Sequence, residues 1–203
     1  MKEIRINNLS KSYAENLVLD SINCVLNSSK VYFLTSGNGS GKTTFFNCLL
    51  REISFDGKII DQDLIYSYLP DKVKLPIYVK VIDFITMFLD NNNIEINNKI
   101  SYYFELFKIS KYRNYYVNQL SKGSKQKVLI ILTLLSVADV YLFDEPLTGL
   151  DYNSRLIFME EVKSLQSNNK IVVIASHYYD EYKLSNKEVI NLWKCLESIG
   201  NIW

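Results

Sequence analysis

An α/β fold is predicted by three features of this 203-residue sequence. Short apolar runs rich in β-branched and aromatic residues, Val31–Leu34, Val140–Phe143 and Ile171–Ala175, are bounded by small or polar residues and read as buried strands. The first 26 residues alternate apolar and polar side chains, as in Ile4/Ile6 and Ile22/Cys24/Leu26, which predicts a strand-rich N-terminal portion. From Val79 to Val117 the aromatic residues Phe84, Phe88, Tyr103, Phe104 and Phe107 recur at helical spacing, which predicts an insert of two or three helices. Almost half the residues are apolar, enough for a substantial core.

The strand Val31–Leu34 runs into Ser36, Gly37, Asn38, Gly39, Ser40 and Gly41, and then into Lys42, Thr43 and Thr44, which open a helix with apolar residues at Phe45, Phe46, Leu49 and Leu50. Strand, glycine-rich loop and helix together form an anion cradle. The loop and first helical turn carry backbone N–H groups without partners, aimed at one point with the positive end of the helix dipole. Lys42 adds a charge for the β- and γ-phosphates, and the Thr43 hydroxyl is suited to Mg²⁺. Ser36 stands where the G-x-x-x-x-G-K-[ST] pattern has its first glycine, and Gly37 supplies a permissive residue one step later.

Further along, Asp56-Gly57 reads as a turn into Lys58–Ile60, and Leu64–Leu69 as another strand. Asp90–Lys99, with five asparagines, reads as a surface loop between helices. Ser121 is placed to cap the helix that follows it, and Gly123 leaves backbone N–H groups accessible, so this helix start is also able to hold an anion. Lys122, Lys125 and Lys127 on that turn read as a solvated face. The run Val140–Phe143 ends in Asp144 and Glu145, and carboxylates at a strand's C-terminal tip are where open α/β sheets place their chemistry. Asp144 is expected to hold Mg²⁺ and Glu145 to orient and deprotonate a water. The single histidine, His177, follows the strand Ile171–Ala175 and faces the same region.

Other classes are disfavoured. A net charge of +1 argues against non-specific nucleic-acid binding, so no nucleic acid is expected as a partner. Cys24, Cys48 and Cys195 show no metal-ligand spacing and read as reduced thiols, with Cys48 as a small packing residue. The longest apolar candidates, Val79–Leu89 and Val128–Ala138, are too short to span a bilayer, and neither end shows a signal or lipidation motif.

In this order, the motifs resemble the nucleotide-binding subunit of an ATP-binding-cassette (ABC) transporter, from about Leu9 to about Leu192. Ser36–Thr44 is similar to its Walker A loop, Leu120–Ser124 to its signature sequence, Val140–Glu145 to Walker B and Pro146–Asp151 to the D-loop. His177 falls at the switch histidine, Tyr13 at the aromatic residue that stacks on adenine, and Asp71 where a metal-side glutamine is expected. The resemblance implies a P-loop NTPase (RecA-like) core with an antiparallel β subdomain and an inserted α-helical subdomain. It implies one domain over residues 1–203, with the core at about 1–70 and 136–203 and the helical part at about 76–135.

By the same resemblance, two subunits sandwich two ATP molecules, each held by Walker A of one copy and by Ser121, Lys122 and Gly123 of the other. His177 contacts the γ-phosphate, Asp151 communicates between copies, and Thr43, Asp71 and Asp144 serve Mg²⁺. The partners implied are a second ABC subunit, identical or not, and an integral membrane permease. That places the chain in the cytoplasm, on the inner face of the membrane. Leu-Ser-Lys-Gly is similar to exporter-type cassettes for peptides, bacteriocins or drugs. Two other readings stay open: a soluble ABC ATPase acting on ribosomes or DNA, and a nucleotide-binding dimer with little turnover, to which the departures at Ser36 and Asp71 point.

Overall fold

The structure, a computed structural model, describes residues 2–35, 41–91, 99–177, 182, 184 and 186–192. Ser36, Gly37, Asn38, Gly39 and Ser40 of the expected phosphate loop lie outside the described residues, as do residues 92–98 of the asparagine-rich loop and Cys195. Strands β1 (Glu3–Tyr13), β2 (Asn16–Asn27) and β4 (Asp56–Ile60) form an antiparallel sheet in the order β2-β1-β4. Strands β3 (Val31–Thr35), β5 (Tyr66–Leu69), β6 (Val140–Asp144), β7 (Ile171–Ala175) and β8 (Lys187–Asn191) form a parallel sheet in the order β5-β6-β7-β3-β8.

The apolar runs make this parallel sheet because both of its faces are covered. Alternate residues of β3 divide between two cores. Val31 and Phe33 pack with α4 (Lys122–Leu135) and α5 (Tyr152–Ser167), while Tyr32 and Leu34 pack with α1 (Lys42–Leu49) and the antiparallel sheet. All five residues of β6 and of β7 are buried. Cys48 is buried in the second core, as a packing residue.

The helical insert forms as α2 (Val81–Asn91) and α3 (Lys99–Leu106), followed by short 3₁₀ turns at Ser110–Tyr112 and Val117–Gln119. The polar run begins later than its composition suggests, since Asp90 and Asn91 complete α2. Ile85, Leu89, Phe104 and Phe107 are buried in the core with α4, while Phe84, Phe88 and Tyr103 of the aromatic stripe are only partly buried at its edge.

Asp56-Gly57 is not a turn. Both residues belong to β4, and between Asn7↔Lys58 and Ser10↔Asp56 the register slips through a bulge. Gly57 sits there with φ +97°, where a Cβ would lie 2.3 Å from the Asn8 carbonyl oxygen. A bulge of this kind asks for the same residue types as a tight turn. Among the described residues no helix is long and apolar enough to cross a membrane.

Candidate active site

The parallel strands β3, β6 and β7 all end on one edge of the sheet, and five predicted site residues meet there. Gly41 caps α1 with φ +88°. A Cβ on it would lie 2.9 Å from both Val18 and Leu19 of β2, so the loop closes against the antiparallel sheet through a position only glycine fills. The helix begun there brings Lys42 and Thr43 to the carboxyl tips of β6 and β7. The Thr43 hydroxyl donates to Asp144 Oδ2 at 2.7 Å. Lys42 Nζ, largely buried, lies 3.3 Å from His177 Nε2. That same ring nitrogen is 3.4 Å from Glu145 Oε1. Thr44, the next residue on α1, is half-buried.

Asp144 is buried, and burial pushes its carboxyl up, opposed first by the Thr43 hydroxyl. The exposed Asp71 carboxylate adds to the rise through like charge. Burial also pushes the Glu145 carboxyl up, opposed by the nearby His177 and Lys42. Glu145 Oε1 is a buried oxygen with no hydrogen-bond partner among the described residues, and so is the hydroxyl oxygen of Tyr68 on β5. Buried oxygens left without a hydrogen bond cost about 1–3 kcal/mol each, and on the same edge the Thr43 hydroxyl and the Asp144 carboxylate are paired hard donors. Those residues fit a magnesium ion, which characteristically takes one or two carboxylates and completes its shell with water and substrate phosphate. No group of three or more His, Cys, Asp or Glu capable of caging a metal exists among the described residues.

Ser121, Lys122, Gly123 and Asp151 form a second cluster. Ser121 caps α4 by accepting from the Ser124 N–H at 3.1 Å, and Ser121 and Lys122 are exposed. A Cβ on Gly123 would sit 2.4 Å from the Gly149 carbonyl oxygen, so the helix start rests directly on the 146–151 loop. Gln126 Nε2 donates to the Pro146 carbonyl at 3.2 Å, a second tie to that loop. Asp151 caps α5, accepting from the Ser154 N–H at 2.9 Å, and its other oxygen pairs with Lys127 Nζ at 2.8 Å. The Lys127 hydrogen bond and the Ser154 N–H hold the Asp151 carboxyl well below the usual carboxylate range.

None of the described contacts joins this cluster to the first. They share only the loop, which has Glu145 at one end and Asp151 at the other.

Tyr13 lies on β1, 47% exposed, with Lys11 Nζ 5.1 Å from its ring centroid. Sequence reasoning missed Lys127. Its side chain is 12% exposed, anchored to Asp151 and to the Phe107 carbonyl, and is not part of a solvated face. Charge spacing along one helix carries no signal for a partner 24 residues on.

Comparison with known proteins identifies the family. A family model described as ABC transporter matches residues 19–148, well over half of the chain. An ABC transporter ATP-binding protein of Methanocaldococcus jannaschii is 28% identical over 195 residues, covering 95% of this chain and 74% of that protein. The zinc import ATP-binding protein ZnuC of Rickettsia bellii is 29% identical over 176 residues, covering 84% and 73%. Among solved structures, the ATP-binding subunit of an ABC transporter superposes with a TM-score of 0.82 at 18% identity, over 93% of this chain and 86% of that one, a likeness of fold. On the family match, this chain belongs to the ABC transporters as an ATP-binding subunit, in a family of ATPases coupled to transport.

Proposed function

We propose that this subunit hydrolyses ATP at the edge formed by β3, β6 and β7, in a dimer with a second ABC subunit, and thereby drives a separate membrane permease. One observation carries the reading. Lys42 and Thr43, adjacent on α1, each reach a group from a different strand tip, Thr43 to Asp144 and Lys42 to His177 beside Glu145.

Each residue has a part that its surroundings suit. The residue 36–44 loop and the start of α1 hold the phosphates, with Lys42 as their cation. Thr43 and Asp144 hold Mg²⁺, and Asp71 adds negative charge on the same side. Bound there, the ion neutralises charge on the phosphoryl oxygens. Glu145, its carboxyl raised by burial and its Oε1 beside His177, accepts a proton from the attacking water, and His177 steadies the γ-phosphate end. Tyr13 stacks on adenine. Ser121, Lys122 and Gly123 close over a triphosphate held by the other copy, and Asp151 holds the loop between that surface and Glu145.

The permease side of the molecule is read from a groove of about 790 Å³ between β5, α2 and α4, lined by Ile65, Val73, Phe84, Phe88 and Val137 with Lys74 at its rim. The Pro70–Lys74 segment walls this groove and carries Asp71, so a permease segment seated there, apolar with an acidic residue toward Lys74, bears on the metal end of the site. We further propose outward transport of peptides or drug-like compounds, on the strength of the Leu120–Ser124 sequence. A second reading is uptake, since the Rickettsia bellii relative is named as a zinc import protein. Transport assayed with the permease in inverted vesicles separates the two directions.

Glu145→Gln tests the chemistry. Hydrolysis is expected to fall at least about 100-fold, the scale of a lost general base. ATP binding persists, and an ATP-dependent dimer accumulates on gel filtration. Turnover at the wild-type rate would show that Glu145 is not the base.

A further inference from the structure

Tyr66 and Tyr68 project from the same face of β5 toward α1, yet their hydroxyls differ. Tyr66 donates to Asp61 Oδ2 at 2.7 Å within an ion pair with Arg51. Tyr68 Oη is buried and makes no hydrogen bond of full geometry among the described residues, although the Asp144 carboxylate lies near enough to act on it. Its ring stands edge-on to Phe46 on α1, with centroids 5.7 Å apart, one helical turn beyond Thr43. Packing alone would be served as well by phenylalanine, which carries no oxygen to desolvate.

The charged groups around this hydroxyl are Asp144, then Glu52 and Asp71, all carboxylates. Ionised carboxylates only accept hydrogen bonds, so the phenol is the donor among them. Thr43 already donates to Asp144 from the α1 side. Asp71 occupies a position from which a glutamine would offer an N–H₂ donor and an aspartate offers none.

We propose that Tyr68 is a positioning residue for the metal end of the site, its hydroxyl donating to the Asp144 carboxylate and fixing it together with Thr43. This rests on the ATP and magnesium reading above. Partners of this kind orient a ligating carboxylate without touching the metal, and their loss weakens metal affinity about 10- to 100-fold.

The test uses the full chain and a non-hydrolysable ATP analogue, titrated calorimetrically with Mg²⁺ and with EDTA. In Tyr68→Phe, the affinity gained from Mg²⁺ is expected to shrink about tenfold, with affinity in EDTA unchanged and the KM for Mg²⁺ raised. Tyr66→Phe, which breaks the Asp61 bond, lowers thermal stability and leaves the Mg²⁺ gain intact. Asp71→Gln in the Tyr68→Phe background restores a donor beside Asp144 and recovers most of the lost gain. An unchanged Mg²⁺ gain in Tyr68→Phe overturns the proposal, as does an equal loss with and without Mg²⁺, or no recovery with Asp71→Gln. Should Tyr68→Phe fail to fold, Tyr68→Leu, which also lacks the hydroxyl, is read the same way: a Mg²⁺ gain reduced about tenfold supports the donor role, and an unchanged gain overturns it. Wild-type protein that binds the analogue in neither condition overturns the ATP reading itself, and one that binds without Mg²⁺ dependence overturns its metal half.

Discussion

Replacing Gly123 with alanine probes the contact by which the start of α4 rests on the 146–151 loop. The added Cβ would lie 2.4 Å from the Gly149 carbonyl oxygen, about 1 Å short of ordinary carbon–oxygen contact. The obstacle is backbone, and it cannot turn aside freely because Gly149 holds φ +76° in a loop tied to Gln126 through the Pro146 carbonyl. Overpacking of this kind costs about 1–3 kcal/mol. Alanine returns roughly 0.5–1 kcal/mol through helix propensity, since the φ of Gly123 lies outside the left-handed region. The net expectation is a loss of about 1–2 kcal/mol, read as a urea midpoint lowered by roughly 0.5–1 M at an unchanged slope. Lys122→Ala, one residue away and exposed, is the control and is expected to stay within about 0.5 kcal/mol of wild type. A Gly123→Ala protein as stable as wild type would mean that the helix start and Gly149 are not in contact, and the coupling of the two clusters through that loop would fall with it.

Two further substitutions test the helices that frame the site. Asp151→Ala removes the α5 cap and the Lys127 pair, and should cost about 1–2 kcal/mol at pH 7, mostly through the cap. The ion pair adds little because the Asp151 side chain is more than half exposed. With its carboxyl held below the usual range by Lys127 and Ser154, Asp151 contributes fully above the ordinary value of 3.8, and the difference between the two proteins closes only at strongly acid pH. Glu161 behaves oppositely. Its carboxyl, raised by burial, accepts from the Tyr103 hydroxyl at 3.2 Å, joining α5 to α3. A raised carboxylate favours folding below its ordinary value of 4.5 and loses that advantage as pH rises through the folded value. Glu161→Gln keeps the acceptor and discards the charge. It should melt higher than wild type at pH 7–8, with the gap narrowing toward pH 4.5, and a gap independent of pH would refute the assignment.

What could be read from the sequence was local chemistry. The strand Val31–Thr35 and the helix from Lys42 were legible because an apolar run, glycines and helical spacing sit side by side. Ser121 was legible as a cap because its partner, the Ser124 N–H, is three residues away. Contacts between distant residues were not legible. Lys42 and His177 are 135 residues apart and meet only because β3 and β7 are neighbours in the sheet, an order the sequence does not state. Asp56-Gly57 looked like a turn because its pairing partner, Ser10, is remote, and nothing local separates a bulge from a reversal. Lys127 looked solvated for the same reason. The oxygen on Tyr68 gave no sign at all, since one tyrosine among fifteen is unremarkable until its surroundings are known.

The backbone at Glu145 shows how two neighbouring carboxylates come to serve one place. Consecutive residues of a strand point to opposite faces, so Asp144 and Glu145 in unbroken β-structure would diverge across the sheet. Asp144 is still in register, opposite Ala175 on β7, and its carboxylate meets Thr43. Glu145 leaves the strand with φ +49°, a left-handed conformation that costs a non-glycine residue about 1–3 kcal/mol. Its N–H still bonds the Ala175 carbonyl at 2.9 Å, and its own carbonyl accepts from Thr148 at 3.2 Å, so pairing on both sides fixes the kink. The kink re-aims the side chain to His177, whose Nε2 lies 3.3 Å from Lys42, the residue before Thr43. Both carboxylates therefore face the first turn of α1. A glycine at 145 would relieve the strain but carry no carboxylate, and a straight strand would carry one facing the wrong way.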